Sequence, residues 1–225
     1  MQPAAARLPA ADVRYYGLWR DDGTDRRTND LLRRKARGQA GRAPEPTAAV
    51  MDAQSVDSAL TAEATGVGVD GGKRRKGRKR SCLFDTLGLL LAVIGTAASV
   101  HDRHPGTALI DYARAHHPAM SKMWADGAYG GLRGHAAGPG IDLTITTKGL
   151  GVAGFAPIPK RWKAERSIGW TSRARRLVLG YETNPRSSGS QAYWVMNGIM
   201  LRRLTGACPV TTYRIGTDDR ITVPT

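Results

Sequence analysis

Three carboxylates in this sequence stand where chemistry is possible. Asp52 closes the apolar stretch Ala48-Ala49-Val50-Met51, which reads as a short buried strand ending near Asp52. Asp126 closes a second short strand, Lys122-Met123-Trp124-Ala125, and meets Gly127 at once. Glu165 sits in RWKAERSIGW, a helically patterned segment crowded with arginine. A carboxylate at the end of a buried strand usually faces a crevice in a sheet protein. Carboxylates from two strand ends and one helix can converge on two divalent cations about 3.5–4 Å apart, an arrangement suited to hydrolysis or transfer at phosphodiesters. The ordinary alternative makes Asp52 and Asp126 turn or helix caps and Glu165 the i+4 partner of Arg161. Charge bears on the choice. Lys and Arg number 34 against 19 Asp and Glu, a formal charge of +15. Such an excess favours a polyanionic partner, nucleic acid first, over a basic surface kept for solubility.

The basic side chains fall in two places. Residues 71–80, GGKRRKGRKR, hold Lys73, Arg74, Arg75, Lys76, Arg78, Lys79 and Arg80. Such a run can neutralise several phosphates in a salt-dependent way, and its glycines would let it follow a backbone closely. A solvated loop or a localisation-like patch is the other reading. The run precedes the strand RSCLFDT, which would set it close to the Asp52 strand. From about Arg161 to Leu179 the pattern is helical. There Gly169, Ser172 and Arg176 share the face of Glu165, while Arg166 and Arg173 share a neighbouring one. Arg173, Arg175 and Arg176 are natural phosphate contacts. Trp162 and Trp170 read as core, with stacking on an unpaired base as the alternative.

Other signals fail on context. Gly66-Val67-Gly68-Val69-Asp70-Gly71 matches the dinucleotide fingerprint, but it runs into Lys73-Arg74-Arg75-Lys76 rather than a packed helix. Arg74 stands where a phosphate-binding loop needs Ser or Thr. His101 and His104 have a metal-like spacing without a third ligand. No G-x-S-x-G elbow occurs.

The elements that must carry these residues can be read in order. Two short helices lie within residues 1–37, with a break at Asp21-Asp22-Gly23 and a candidate second cap at Asn29 or Asp30. Residues 38–48 have linker composition. Residues 49–205 then read as strand, strand, strand, helix, strand, strand, helix, helix. The three strands are the Asp52 strand, RSCLFDT and the nearly all-apolar LGLLLAVIGTAASV, the last two joined by a turn at 86–88. The first helix is PGTALIDYARAHHP, and the last runs from about Ser190 to Leu204 and stops at Gly206. This order implies an α/β mixed sheet with helices on its faces. Residues 206–225 are weakly patterned. The apolar run 87–100 is too short for a membrane span, and the start of the chain lacks the pattern of a signal peptide. Two cysteines, Cys82 and Cys208, fit a reducing cytosol and no disulfide framework.

The stretches MDAQSV, GGKRRKGRKRSCLFDTLGLLLAV, KMWADGAYGG, GFAPIPKRWKAERSIGW and MLRRLTG, in this order, resemble the catalytic half of bacterial insertion-sequence transposases of the IS5 group, within the broader IS4-like DDE transposases. The resemblance runs from about residue 12 to 205. It implies an RNase H-like fold and a DDE triad that binds divalent metal, Mg2+ with Mn2+ as a substitute, two ions being expected. On this chain the triad falls on Asp52, Asp126 and Glu165. Arg161, Arg166, Arg173 and Arg176 match positions that are basic in the family, and residues 76–80 match its basic signature. The implied partner is double-stranded DNA, both the inverted-repeat ends of the element and the target, in a bacterial cytoplasm at the nucleoid and away from membrane. Self-association is a further possibility.

The chain also departs from the family. It reads Asp52-Ala53-Gln54-Ser55 where members usually have Asp-Ser-Gln-Ser. Ala174 replaces a usual Asn, and Ile158 and Ser172 stand where the broader signature has Tyr and Lys. Residues 1–37 resemble the remnant of a longer N-terminal region that helps bind element ends. A truncated chain, or an N-terminal half supplied by another reading frame, is therefore expected. The rivals to an active transposase are an inactive DNA-binding remnant and an RNase H-like nuclease without strand transfer.

Overall fold

The Asp52 strand does not end at Asp52. In the computed structural model, which describes residues 10–59, 66–138, 140–146, 161–182 and 184–207, it continues to Asp57. The expected tail beyond residue 207 and the stretch 147–160 lie outside the described residues. The elements in chain order are α1 (Ala10–Asp21), α2 (Thr24–Gln39), β1 (Ala48–Asp57), β2 (Gly68–Asp70), β3 (Arg75–Asp85), β4 (Leu90–Ala97), α3 (Arg103–His116), β5 (Lys122–Ala125), α4 (Arg133–Ala137), β6 (Asp142–Ile145), α5 (Trp162–Ser172), α6 (Arg175–Val178) and α7 (Pro185–Thr205). A 3-10 turn over Gly127–Leu132 links β5 to α4.

β1 is long because β3 is long. The two pair antiparallel from Ala49 opposite Asp85 to Asp57 opposite Gly77, with Asp52 opposite Cys82. The basic run is therefore half strand, and it supplies the partner that carries β1 past Asp52. β5 lies parallel to β1 on its other side, and β6 parallel to β5. β2 and β4 pair antiparallel with successive parts of β3 on its outer edge. The resulting sheet is β4/β2-β3-β1-β5-β6, with three parallel strands and an antiparallel β3. Helices cover both faces, as an RNase H-like mixed sheet requires.

Period-2 alternation divides the core between the two faces. Met51, Leu83 and Met123 meet Leu109 and Ile110 of α3 on one side. Val50, Phe84 and Leu90 meet Ala164 of α5 and Met196 and Met200 of α7 on the other. Asp52 belongs, by the same alternation, to the face of Val50, which is the face that α5 covers.

Several boundaries differ from the sequence reading. α2 starts at Thr24, after Gly23 in the left-handed region at φ 77°, so neither Asn29 nor Asp30 caps it. Asn29 is instead buried and donates to Leu90 O on β4 at 2.8 Å. The single helix expected from 161 to 179 is two, α5 and α6. Thr171 Oγ1 and Ser172 Oγ both turn back to Ile168 O, at 2.9 and 2.7 Å, and such back-bonding competes with helix continuation. Arg176 therefore does not share a helix face with Glu165. α7 begins earlier than expected, at Pro185, where Asn184 accepts from Arg186 N at 2.9 Å. It ends before Gly206, which takes φ 69°. None of the described helices is long and apolar enough to cross a membrane.

Candidate metal and nucleic-acid site

Strand alternation, a strand end and a helix position the three carboxylates. Asp52 lies within β1 and is buried, with its Oδ1 accepting from Ala53 N at 2.8 Å. Asp126 follows β5, one strand over, and caps the 3-10 turn by accepting from Ala128 N at 3.0 Å. Glu165 lies in the first turn of α5, with Arg161 Nη2 3.6 Å from its Oε1. Asp126 as a cap and Glu165 as the partner of Arg161 are thus the ordinary contacts anticipated above. Asp52 caps no helix.

The carboxylates nevertheless act on one another. Burial pushes the Asp52 carboxyl up to about 6, with the Ala53 amide and the Arg161 guanidinium drawing it down and Asp126 and Glu165 pushing it further up. Tyr129, buried in the 3-10 turn, is raised first by burial and then by the fields of Asp102, Asp52 and Asp126. Asp52 therefore shares its surroundings with both other carboxylates. Hard oxygen donors that crowd a buried carboxylate from a more open side match the needs of a divalent cation, so the donor set fits in kind. Among the described residues no three His, Cys, Asp or Glu side chains already close around a common point. Glu165 leans on Arg161 instead.

The basic run splits at Gly77. Lys73, Arg74, Arg75 and Lys76 are exposed in and after the β2–β3 turn. Lys73 Nζ donates to Ala53 O at 3.2 Å, which sets this cationic hairpin beside the residue after Asp52. Arg75 pairs with Asp57 at 3.1 Å. Arg78, Lys79 and Arg80 are buried, contrary to a run that tracks phosphates along its whole length. Arg78 donates to Gly66 O and Glu182 O. Lys79 pairs with Asp102 at 2.9 Å and donates to Val100 O at 3.1 Å. Arg80 donates to Leu177 O at 2.9 Å and Ser188 Oγ at 3.1 Å. The physical reason is their place in a central strand, where a buried cation must spend its donors on protein oxygens.

The second basic group lies on and after α5. Arg173 and Arg175 are exposed, and Arg176 pairs with Glu182 at 2.9 Å. Arg166 sits between Trp162 and Trp170, 4.5 Å from each ring centroid, with Arg203 on Trp170 at the same distance. Neither tryptophan is core. Trp162 is 39% exposed, and both rings serve as faces for guanidinium groups.

Some contributors escape the sequence reading. Gln54 Nε2 donates to Ser172 Oγ at 2.7 Å and ties β1 to the end of α5. Its position two residues after Asp52, on the same strand face, is the one local signal for it. Tyr129 lies three residues after Asp126 and carries no such signal.

No curated protein and no solved structure matches the chain. A family model described as transposase DDE domain matches residues 43–189, a span that contains Asp52, Asp126 and Glu165 as well as the whole sheet. The chain belongs to the transposase DDE domain family.

Proposed function

We propose that the chain catalyses metal-dependent phosphoryl transfer on DNA, cleaving the ends of a mobile element and joining them to a target. Asp52, Asp126 and Glu165 are the residues that would hold divalent metal, Mg2+ or Mn2+. The single observation that carries this reading is the placement of the three carboxylates within the matched domain: Asp52 on β1, Asp126 at the end of the adjacent parallel β5, and Glu165 in the helix that packs on β1. A bound divalent cation would supply Lewis acidity at the phosphodiester and a more acidic attacking oxygen. The chain's own residues do the rest. Lys73, Arg74 and Lys76 hold backbone phosphates next to Asp52, and Arg173 and Arg175 carry the basic surface on past the end of α5. Arg161 moderates the repulsion between carboxylates while the site lacks metal. Kinship with the IS5 group rests on the ordered motifs of the sequence, and a nucleoid-associated cytoplasmic setting goes with it.

The test is nicking of supercoiled plasmid with Mg2+ or Mn2+, with and without candidate inverted repeats. Metal-dependent nicking that disappears in Glu165→Gln supports the reading. Mn2+ is expected to be the more permissive ion, since Mg2+ demands near-ideal octahedral geometry. Nicking that is insensitive to chelation, or unchanged in Glu165→Gln, defeats it.

A further inference from the structure

Three consecutive carbonyls of the β3–β4 turn are taken by one helix. Lys163 Nζ donates to Thr86 O at 2.7 Å, Arg166 Nη2 to Leu87 O at 3.2 Å, and Ser167 Oγ to Gly88 O at 2.7 Å. The approach is close. Gly88 has φ 81°, and a Cβ there would stand 2.4 Å from Ser167 Oγ.

The turn holds this shape through Asp85, which is fully buried. Asp85 Oδ1 accepts from Leu87 N and Leu89 N, both at 2.9 Å. Its Oδ2 accepts from Arg37 Nη1 at 2.6 Å, and Arg37 Nε in turn donates to Ala43 O at 2.7 Å. Arg37 lies near the end of α2 and is itself buried. A buried charge pair with its remaining donors and acceptors satisfied fixes geometry well, even where it adds little net stability.

The two flanks of α5 carry different duties. At about 100° per residue, Lys163, Arg166 and Ser167 share one flank, and Arg161, Glu165 and Ser172 share the other. The second flank is fastened through Gln54 to the strand of Asp52. The turn thus sets the roll of α5 from the side opposite to Glu165, and a small roll moves the Glu165 carboxylate sideways relative to Asp52.

We infer that Asp85 and Arg37 are positioning residues for Glu165: they hold the β3–β4 turn in the shape that fixes the roll of α5. The carboxylate site thereby depends on α2, which precedes the matched residues 43–189. The inference rests on the reading of Glu165 as a metal-holding carboxylate.

Two measurements on the full chain test it: Mn2+ affinity by titration calorimetry, and amide hydrogen exchange of residues 162–172. Arg37→Met is expected to weaken Mn2+ binding about tenfold, the size usual for outer-sphere supports, and to speed exchange in α5. Arg37→Lys restores most of the affinity. Ser167→Ala weakens binding less, and its effect does not add to that of Arg37→Met, because both act through the turn. Ile110→Ala, in the core on the other face of the sheet, is the control. It lowers stability but leaves Mn2+ affinity unchanged. Equal loss of affinity in Arg37→Met and Ile110→Ala, or unchanged exchange in α5, overturns the inference. Should Arg37→Met fail to fold, Ser167→Ala against Ile110→Ala gives the same comparison, a loss of affinity in the first and not in the second supporting the inference and equal losses overturning it. If the unaltered chain binds no Mn2+, the metal reading fails by itself. Exchange in α5 then decides the clamp, with faster exchange in Arg37→Met supporting it and unchanged exchange overturning it.

Discussion

Ser55 Oγ donates to Asp70 Oδ2 at 2.6 Å, and this hydrogen bond fastens the basic hairpin to the strand that carries Asp52. The other oxygen of Asp70 accepts from Gly72 N and Lys73 N, both at 3.1 Å, and so shapes the turn itself. The Ser55 hydroxyl first, with the Lys73 amide and the charges of Lys79 and Lys73 behind it, holds the Asp70 carboxyl below the usual carboxylate range. Its contribution to stability is therefore present above the unfolded value of 3.8 and is lost as the pH falls below it. Ser55→Ala leaves the net charge unchanged and removes the anchor. We expect a loss of about 1–2 kcal/mol in stability and weaker DNA binding at constant salt. Unaltered DNA affinity in Ser55→Ala would show that the hairpin needs no anchor to meet DNA.

The division of the basic run gives a sharper test. Neutralising Lys73, Arg74 and Lys76 together should leave thermal stability nearly unchanged, because all three are exposed. The slope of log affinity against log salt should flatten by up to about 0.9 for each phosphate that the protein no longer neutralises. Arg80→Gln should do the reverse. It strands Leu177 O and Ser188 Oγ and costs about 2 kcal/mol or more, while the folded fraction keeps its salt slope. A slope that responds to Arg80→Gln and not to the hairpin variants would move the DNA to another face.

The order of the main strands and helices is legible in the sequence because each has a local signature. Leu89 to Val93 is continuously apolar, which reads as a central strand; β4 instead pairs with β3 alone at the edge, and the run is apolar because the cores on both faces of the sheet bury it. Gly206 stops α7 through its left-handed backbone. The burial of Arg78 and Arg80 is not legible. Their acceptors, Glu182 O and Leu177 O, lie about a hundred residues on and are backbone atoms without a side-chain signal. Asp85 is opaque for the same reason: it reads as the polar end of a strand until Arg37 arrives from α2. The carboxylates at 52, 126 and 165 stand out by type and context, and Asp52 lies in the fields of Arg161, Asp126 and Glu165. That they hold a common metal is the proposal under test.

Asp52 also makes a prediction about stability. Its carboxyl stands at about 6 in the fold against 3.8 unfolded, a raised value. The linked stability is fully present below 3.8 and is lost as the pH rises through about 6. At neutral pH the metal-free chain therefore carries an ionised, buried Asp52 at a cost of about 2–3 kcal/mol. Asp52→Asn should raise the melting temperature of the metal-free chain at pH 7.5 by roughly 5 °C and have little effect at pH 4. It should also remove the stabilisation that Mg2+ confers on the unaltered chain. A lower melting temperature for Asp52→Asn at pH 7.5 would refute the repulsive site.

Arg161 and a metal ion compete for the same carboxylate. The guanidinium stands 3.6 Å from Glu165 Oε1, and its field also draws the Asp52 carboxyl down. A divalent cation entering among these groups must work against that positive charge. The pair is partly exposed, at 17% for Arg161 and 39% for Glu165, so solvent screens the opposition to a modest size. Arg161→Met should accordingly tighten Mn2+ binding about threefold, a change of under 1 kcal/mol. Glu165→Gln should weaken it far more by removing a ligand. DNA separates the two roles of the arginine. If Arg161 also meets a phosphate, Arg161→Met flattens the salt slope by about 0.9 while metal affinity rises. The same variant measured by calorimetry without DNA and by binding across a salt series reports both effects. Weaker Mn2+ binding in Arg161→Met would mean that the arginine organises Glu165 for metal rather than opposing it.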